Sequence, residues 1–184
     1  GAAMRDLRLA AGLARLDSLE ARFCLSCNHF ARTPAVRRYF RLVSRLGDGI
    51  AWYLMLIALP LALGPPALAP ALHMGITALA GVILYKVLKG VLVRERPFAS
   101  HAGVEAIARP LDRHSFPSGH TLHAACFLTM LAQLYPMLAL IMLPFGISVA
   151  ASRVILGLHY PSDVLAGALI GWGLARTSLL IAGV

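Results

Sequence analysis

The sequence predicts an all-α integral membrane protein, a helical bundle of five to six spans preceded by an amphipathic helical region. Hydrophobic residues make up 59% of the 184 residues and charged residues only 14%, whereas soluble domains average about 45–50% apolar and about 25% charged residues. The apolar residues also form long uncharged blocks, and the longest, residues 121–152, contains no Asp, Glu, Lys or Arg. Because one spanning helix needs roughly 20 apolar residues, this block predicts two helices joined near Tyr135 and Pro136.

Residues 1–48 are predicted to form basic amphipathic helices at the membrane interface. A helix over residues 5–30 follows from apolar residues that recur at steps of three and four along one face, namely Leu9, Leu13, Leu16, Leu19 and Phe23. Such a helix lies in the interface rather than spanning it. Thr33 and Pro34 supply a cap and a first-turn proline for a second short helix, which is predicted to stop at Gly47. The stretch lacks the compact apolar region of a secretory signal peptide.

Residues 49–184 are predicted to form the membrane domain. It contains five predicted spans, at about 49–64, 68–93, 119–134, 137–157 and 162–182. Residues 94–118 form the only long polar connection, and long connections are often functional. If the spans alternate in direction, both ends of this connection and the turn between the fourth and fifth spans lie at the same membrane surface. Polar residues of three separate segments then converge there.

The net charge of +9 has its main source in the N-terminal region, which holds nine of the 17 Lys and Arg residues. Anionic lipid head groups attract such segments, so membrane lipids are predicted partners, whereas so apolar a chain does not favour nucleic-acid binding. Cys24 and Cys27 have the spacing of a redox or zinc pair, but no second pair completes a four-ligand site. Neither these residues nor the seven His predict a metal site or another cofactor.

Lys89 and Arg96 form the first polar cluster. They are seven residues apart, close to two helical turns, so both side chains project from one face and can meet a single anion. Pro97 follows at once and ends the helix. Taken alone, the pair is better explained as charged side chains that extend from a span end towards water.

Ser118, Gly119 and His120 form the second cluster, at the predicted start of a helix. The first N–H groups of a helix are free and its dipole is positive there, so this segment is suited to hold a phosphate. Gly119 allows the backbone to approach a bound group closely, and His120 lies in the first turn beside it. An ordinary serine cap with an incidental histidine is the alternative explanation.

Arg153, His159 and Asp163 form the third cluster. A carboxylate four residues from a histidine can accept its ring N–H, which fixes the tautomer and leaves the other nitrogen as a nucleophile. Arg153 supplies a forked donor that matches phosphate oxygens. Together the three clusters describe an anion held by cations and helix N–H groups beside two histidines, which is the arrangement that phosphoryl transfer requires.

The three clusters resemble the signature of the type 2 phosphatidic acid phosphatase (PAP2) superfamily. That signature is K-x6-RP, then PSGH, then SR-x5-H-x3-D. Three segments match this signature with every spacing intact: Lys89 to Pro97, Pro117 to His120 and Ser152 to Asp163. The resemblance covers about residues 50–182 and leaves the first 48 residues unexplained.

The resemblance implies a role for each residue. His159 would attack phosphorus and form a phosphohistidine, Asp163 would orient His159, and His120 would protonate the leaving oxygen and then activate water. The phosphoryl oxygens would be bound by Lys89, Arg96, Ser118, Gly119 and Arg153. The bacterial membrane members usually have six spans, and the N-terminal amphipathic region is a candidate to replace the missing sixth.

The resemblance further implies a multi-pass lipid phosphatase of the bacterial inner (cytoplasmic) membrane. Its substrate would be a polyprenyl pyrophosphate or a phospholipid-type phosphomonoester, such as phosphatidic acid or phosphatidylglycerol phosphate. Two alternatives stay open: a phosphotransferase that passes the phosphate to another lipid, and a non-catalytic lipid-binding or transport protein. The side of the active site also stays open, because many members present it to the periplasm while the N-terminal arginines favour the cytoplasm. The sequence does not predict an oligomeric state.

Overall fold

A computed structural model describes the backbone of residues 2–184 and the side chains of residues 15–184. Over this range all regular structure is helical, which confirms the predicted all-α class. The α-helices of this range are α1 (Ala2–Phe30), α2 (Pro34–Arg45), α3 (Ala51–Leu63), α4 (Leu68–Val91), α5 (Pro97–Ser100), α6 (Gly119–Leu134), α7 (Pro136–Ile155) and α8 (Pro161–Ala182). A π-helical turn joins α2 to α3, and a 3-10 turn precedes α4.

Helix α1 agrees with the helix predicted over residues 5–30. The described residues of its predicted apolar face are each more than half exposed: Leu16, Leu19 and Phe23. Leu9 and Leu13 lie outside the described side chains. On the opposite side Cys24 and Asn28 are buried, where α1 packs against α7 and α8. The helix therefore docks by its small and polar residues and leaves its apolar residues facing outwards, as an interfacial helix does.

The α-helical part of α2 ends at Arg45, close to the predicted stop at Gly47, but the helical path does not end there. The chain continues from α2 through the π-helical turn Leu46–Ile50 into α3, and Gly49 takes up the kink with a φ of 133°. Only glycine adopts this conformation without strain, so the kink depends on the residue at 49. The boundary suggested at residue 48 falls within this turn.

Among the described residues, four helical stretches are long and apolar enough to cross a membrane: Pro34–Leu63, Pro65–Val91, Pro136–Ile155 and Pro161–Ala182. Helix α6 corresponds to the remaining predicted span, but it has only 16 residues and at about 1.5 Å per residue is about 24 Å long. It packs against α4, α7 and α8, so it is shielded by longer helices. All five predicted spans are present as helices, one of them a short central one.

Helices α6 and α8 approach each other through two glycines of α8. A Cβ atom at Gly167 would lie 2.5 Å from the carbonyl oxygen of Ser118, and one at Gly171 would overlap the carbonyl of Leu122. Small residues one turn apart allow membrane helices to pack this closely. The contact sets the first turn of α8, where the third predicted cluster ends, beside the first turn of α6, where the second cluster lies.

The main hydrophobic core lies between α3, α4, α6, α7 and α8, with Val43 of α2 at its edge. At its centre Trp52 stacks on Phe127, with ring centroids 5.0 Å apart and planes 6° apart. The outward faces of the spanning helices carry exposed large apolar side chains, such as Ile76 on α4 and Ile181 on α8. An apolar exterior around a packed core is the pattern of a lipid-facing bundle.

Candidate active site

The three predicted clusters meet at one end of the bundle. Seven of the eight predicted site residues are buried: Lys89, Arg96, Ser118, His120, Arg153, His159 and Asp163. A cavity of about 270 Å³ lies among them, and six of the eight line it: Lys89, Arg96, Gly119, His120, Arg153 and His159. Ser118 and Asp163 support this wall from behind. The convergence expected from alternating spans is therefore present.

Lys89 and Arg96 hold an acidic side chain that the sequence analysis did not single out. The Lys89 ammonium lies 2.7 Å from each carboxylate oxygen of Asp112. Arg96 donates from Nη2 to the same carboxylate at 2.7 Å and from Nε to the Asp112 carbonyl at 3.0 Å. The two cations thus share one anion, as predicted, but in this structure the anion is a side chain of the protein.

The ionisation of Asp112 follows from these contacts. Burial raises the pKa of its carboxyl group, but the hydrogen bonds and positive charges of Lys89 and Arg96 outweigh that effect and hold the pKa below its ordinary value. Asp112 is therefore a carboxylate at neutral pH. It neutralises part of a site that otherwise collects positive charge.

His159 is held by Arg96. Arg96 Nη1 donates to the carbonyl oxygen of Leu158 at 2.8 Å and lies 3.3 Å from His159 Nε2. Because a guanidinium can only donate, Nε2 is the acceptor and the ring proton remains on Nδ1. The unprotonated nitrogen of His159 thus lies in the cavity that Lys89, Arg96 and Arg153 also line.

His159 is also kept neutral. Burial lowers the pKa of its imidazole well below the ordinary value, and the charges of Arg153, Arg96 and Lys89 lower it further. A neutral imidazole has a lone pair for attack, whereas a protonated one has none.

The predicted contact between His159 and Asp163 is longer than a hydrogen bond. His159 Nδ1 lies 3.8 Å from Asp163 Oδ2, and within the described residues this nitrogen has no hydrogen-bond partner. The Asp163 carboxylate instead accepts the N–H of Tyr160 at 2.8 Å and Arg94 Nη1 at 2.8 Å. Asp163 is close enough to orient the ring after a small movement.

Arg94 connects Asp163 to helix α1. Its Nη2 donates to Glu20 at 2.8 Å, and its guanidinium lies 4.0 Å from the centre of the Tyr160 ring. Glu20 in turn accepts the N–H and the hydroxyl of Ser162, at 2.7 and 2.9 Å. The carboxylate next to the nucleophile is therefore fixed by a network that begins on α1.

Gly119 and His120, at the start of α6, line the cavity at the predicted phosphate-binding helix end. Ser118 is the N-cap residue, its hydroxyl accepts the N–H of Thr121, and its own N–H donates to the carbonyl of Asp163 at 3.1 Å. A Cβ atom at Gly119 would lie 3.4 Å from the Tyr85 ring, so a larger residue would narrow the cavity here. The helix end stays open towards the cavity.

His120 and Arg153 form the opposite side of the cavity. His120 Nε2 lies 3.7 Å from the carboxylate of Asp48, in the π-helical turn. Arg153 donates from Nη1 to the Ser44 hydroxyl, and its Nε has no hydrogen-bond partner among the described residues. A buried donor without a partner is costly, so Arg153 is prepared to bind an additional acceptor.

Apart from Asp48, Asp112 and His123, the rest of the cavity wall is largely apolar. It extends from the charged end between α3, α4 and α6, and its apolar lining includes Trp52, Leu56, Ala78, Val82 and Phe127. A cavity that is cationic at one end and apolar along its length suits an amphiphile with an anionic head. Over the part of the chain that the structure describes, no group of three or more His, Cys, Asp and Glu side chains is placed to hold a metal ion.

Comparison with known proteins agrees with this geometry. The sequence profile of the PAP2 superfamily matches residues 70–183. Decaprenylphosphoryl-5-phosphoribose phosphatase of Mycolicibacterium smegmatis is 33% identical over 139 residues, which are 74% of this chain and 74% of that protein. Lipid A 1-phosphatase of Rhizobium etli is 37% identical over 87 residues, 47% of this chain and 34% of that protein. The chain thus spans about a third of the length of this last relative.

A solved structure shares the fold. The transmembrane PAP2-type phosphatidylglycerolphosphate phosphatase of Bacillus subtilis superposes with a TM-score of 0.78, covering 96% of this chain and 92% of that one. At 24% identity this likeness concerns the fold alone.

Proposed function

Because the chain belongs to the PAP2 superfamily, we propose that it is a membrane lipid phosphatase that works through a phosphohistidine on His159 and without a metal. One observation carries the proposal: six residues predicted from three separate segments line a single cavity whose remaining wall is mostly apolar. The cationic end would hold the phosphate and the apolar part the beginning of the lipid chain. The chain is a multi-pass membrane protein, which places this cavity within reach of lipids.

In the first step the substrate phosphate replaces the Asp112 carboxylate on Lys89 and Arg96. His159 Nε2 attacks phosphorus while the bond from phosphorus to the leaving oxygen breaks, and His120 gives its proton to that oxygen. The cations and the N–H groups at the start of α6 stabilise the charge on the three equatorial oxygens.

In the second step water attacks the phosphorus of the phosphohistidine. His120, now unprotonated, accepts a proton from the water, and the bond between phosphorus and His159 breaks. Inorganic phosphate leaves and both histidines return to their initial states. Asp163 would move from 3.8 Å to hydrogen-bond distance, about 2.7–3.2 Å, once positive charge develops on the His159 ring.

The apolar cavity wall favours a lipid over a soluble phosphate. The relatives act on lipid-linked phosphates of different kinds, namely a decaprenyl-linked ribose phosphate and lipid A. We therefore propose a phosphate ester or pyrophosphate of a lipid as the substrate class. We also propose that residues 1–48 lie at the interface of a bacterial inner membrane and residues 49–184 form the phosphatase domain.

The proposal is tested by phosphate release from a panel of lipid phosphates in detergent micelles. We expect His159→Ala to lower the rate at least about a thousandfold, since the nucleophile is lost, and we expect the wild-type rate to survive excess EDTA. His73→Ala is the matched control, because His73 is bonded to Ser178 and does not line the cavity. Retained turnover in His159→Ala would overturn the assignment. Label that passes from the substrate to a second lipid instead of to phosphate would indicate a transferase.

A further inference from the structure

A second cavity of about 400 Å³ adjoins the catalytic one. The two share a wall that includes the side chains of His120 and Arg153. Three further arginines line the second cavity: Arg41 and Arg45 from α2, and Arg109 from the connection before α6. None of these three has a role in the mechanism proposed above, so their convergence on the cavity requires its own explanation.

The charges of this cavity are not balanced. Four arginine side chains face a single carboxylate, that of Asp48. Among the ion pairs of the described side chains, none involves Arg45 or Arg109. Arg41 donates its Nε to the carbonyl of Ile107 at 2.8 Å, which leaves its terminal amino groups for another acceptor. Like charges held close together repel one another, so an anion placed among them would be stabilised.

The inner end of the second cavity is lined by a buried hydrogen-bond donor, the side chain of Arg153, and not by solvent-exposed groups. Arg153 is 3% exposed, and its Nε has no hydrogen-bond partner within the described part of the chain. The other three arginines are exposed at the mouth. An incoming anion would pass from exposed cations to a desolvated donor that has an unmet hydrogen bond.

The position of the cavity connects it with the reaction. In the proposed mechanism the leaving oxygen lies beside His120, which belongs to the wall that both cavities share. The atoms bonded to that oxygen therefore pass next to the arginine-lined cavity. In a monophosphate of a lipid alcohol those atoms are carbon, which gains nothing from four guanidinium groups. In a diphosphate they belong to a second phosphate, whose free oxygens can meet the arginines across the shared wall while its ester oxygen leads the lipid chain into the apolar part of the catalytic cavity.

We propose that Arg41, Arg45 and Arg109, together with Arg153, form a second anion site that binds the phosphate next to the one being cleaved. The favoured substrate class is then a lipid diphosphate, and the lipid monophosphate is the product. This inference rests on the proposed phosphatase function. Beyond that function, it assigns a binding role to three residues outside the catalytic segments and predicts that a lipid diphosphate is preferred over a lipid monophosphate.

The kinetic test compares a prenyl diphosphate with the monophosphate of the same prenyl chain. The variant is Arg45→Gln combined with Arg109→Gln, because Arg41 also holds the Ile107 carbonyl and its loss would disturb the fold. We expect the ratio of kcat/KM for diphosphate over monophosphate to fall about tenfold. Arg38→Gln is the control, since Arg38 is an exposed arginine of α2 that does not line the cavity, and it should leave the ratio unchanged.

An unchanged ratio in the double variant would overturn the second anion site. If both rates fell together, the arginines would serve general attraction to the membrane or release of inorganic phosphate. An equal change of the ratio in Arg38→Gln would assign the effect to overall surface charge and would equally count against the site.

A binding measurement separates this inference from the proposed function. Methylenediphosphonate and methylphosphonate are not cleaved, and their affinities for the full chain in detergent can be measured by calorimetry. We expect wild type to prefer the diphosphonate and the double variant to lose most of that preference. Equal preference in both proteins would contradict the second site. Absence of turnover on every lipid phosphate, with the preference intact, would contradict only the phosphatase proposal.

Discussion

At the scale of single residues, Asp112 sets the resting charge of the site. Its carboxylate contacts both Lys89 and Arg96 at 2.7 Å, in the place where the proposed phosphate would bind. Buried cations without a counter-charge are strongly destabilising, so the carboxylate supports the fold while the site is empty. The same contact means that a substrate must compete with a group of the protein itself.

Replacing Asp112 by Asn should separate these two effects. Loss of the competing charge is expected to tighten the binding of vanadate about tenfold, equivalent to about 1.4 kcal/mol, while the melting temperature falls because two buried cations lose their partner. Inhibition constants and thermal unfolding in detergent measure the two quantities. Glu105→Gln is the control, because Glu105 lies in the same connection but only its backbone takes part in hydrogen bonds. Weaker binding of vanadate to Asp112→Asn would mean that Asp112 positions the cations rather than competing with the phosphate.

The protonation state of His159 gives a second prediction at this scale. Burial and three nearby cations lower the pKa of its imidazole, so the ring should stay neutral as the pH falls through about 6.5, the ordinary value for histidine. Histidine-labelled protein followed by carbon NMR from pH 8 to 5.5 would show no titration of the His159 signal, which is identified by its absence in His159→Gln. A titration midpoint at or above 6.5 would contradict the assignment of His159 as a neutral nucleophile.

Local spacing predicted the residues of the site that belong to helix ends. His120 lies in the first turn of α6 and Lys89 in the last turn of α4. The predicted helical spacing of Lys89 and Arg96 is wrong, because α4 ends at Val91 and Arg96 lies beyond it in extended backbone, before a new helix that Pro97 begins. Both side chains nevertheless reach the same carboxylate. Asp112 and Arg94 were missed, because they belong to the irregular connection before α6, whose course depends on contacts far away in the sequence. The signal in the sequence that could have pointed to Asp112 was its position as a carboxylate between Arg109 and Arg113 in this connection.

At the scale of elements, α1 is part of the support of the site. Glu20, Cys24 and Asn28 follow one another at four-residue steps and so share one face of the helix. Glu20 bonds to Arg94 and Ser162, while Asn28 accepts the Glu105 N–H and donates to its carbonyl, both at 3.0 Å. The sequence predicts the apolar face of α1 but not this polar face. Glu, Cys and Asn at four-residue steps match no binding motif, so their role shows only once the residues they contact are known.

Glu20 should act as a positioning residue for Asp163. In Glu20→Ala, Arg94 loses a partner and Asp163 loses its fixed orientation, so we expect kcat to fall about tenfold with little change in KM. Glu20→Gln keeps an oxygen acceptor for Arg94 and Ser162 and should lose less. The matched control is Asp17→Asn, since Asp17 lies 3.7 Å from Arg94 and is 73% exposed. A parallel loss of melting temperature and activity in both Glu20 variants, without the split between kcat and KM, would indicate a purely structural role.

The close packing of α8 on α6 predicts that alanine substitutions at two nearby glycines of α8 change the stability in opposite directions. A methyl group at Gly171 would overlap the backbone of Leu122, whereas one at Gly173 would meet nothing within 4 Å. Gly171→Ala should therefore lower stability by about 1–3 kcal/mol, while Gly173→Ala should raise it by up to about 1 kcal/mol through helix propensity. Thermal unfolding in micelles decides, and equal effects at the two positions would show that α6 and α8 do not pack this closely.

At the scale of the whole molecule, the short helix α6 explains how a polar site is accommodated in an apolar bundle. Its 16 residues begin at the site and are surrounded by longer helices, so its first turn lies inside the bundle rather than at the lipid boundary. The backbone N–H groups at that turn are protected from lipid and can serve a ligand instead. The pattern of apolar residues predicted both ends of α6 correctly. It did not predict that α6 lies at the centre of the bundle, because that position depends on close packing against Gly167 and Gly171 of α8.

The docking of α1 also predicts at which membrane surface α1, the site and the C-terminal end of α8 lie. Glu20 of α1 bonds to Arg94 and Ser162, next to Asp163 of the site. The N-terminal region and the site must therefore lie at the same membrane surface. Helix α8 starts there and runs for 22 residues, about 33 Å, so its C-terminal end lies at the other surface. In a chain with Cys27 replaced by Ser, Ser18→Cys and Arg113→Cys should react with an impermeant maleimide from one side of sealed vesicles and Val184→Cys from the other. Cys24 and Cys126 are buried and should not react. Labelling of Ser18→Cys together with Val184→Cys would show that α1 does not rest on the site, and the proposed role of Glu20 would be lost with it.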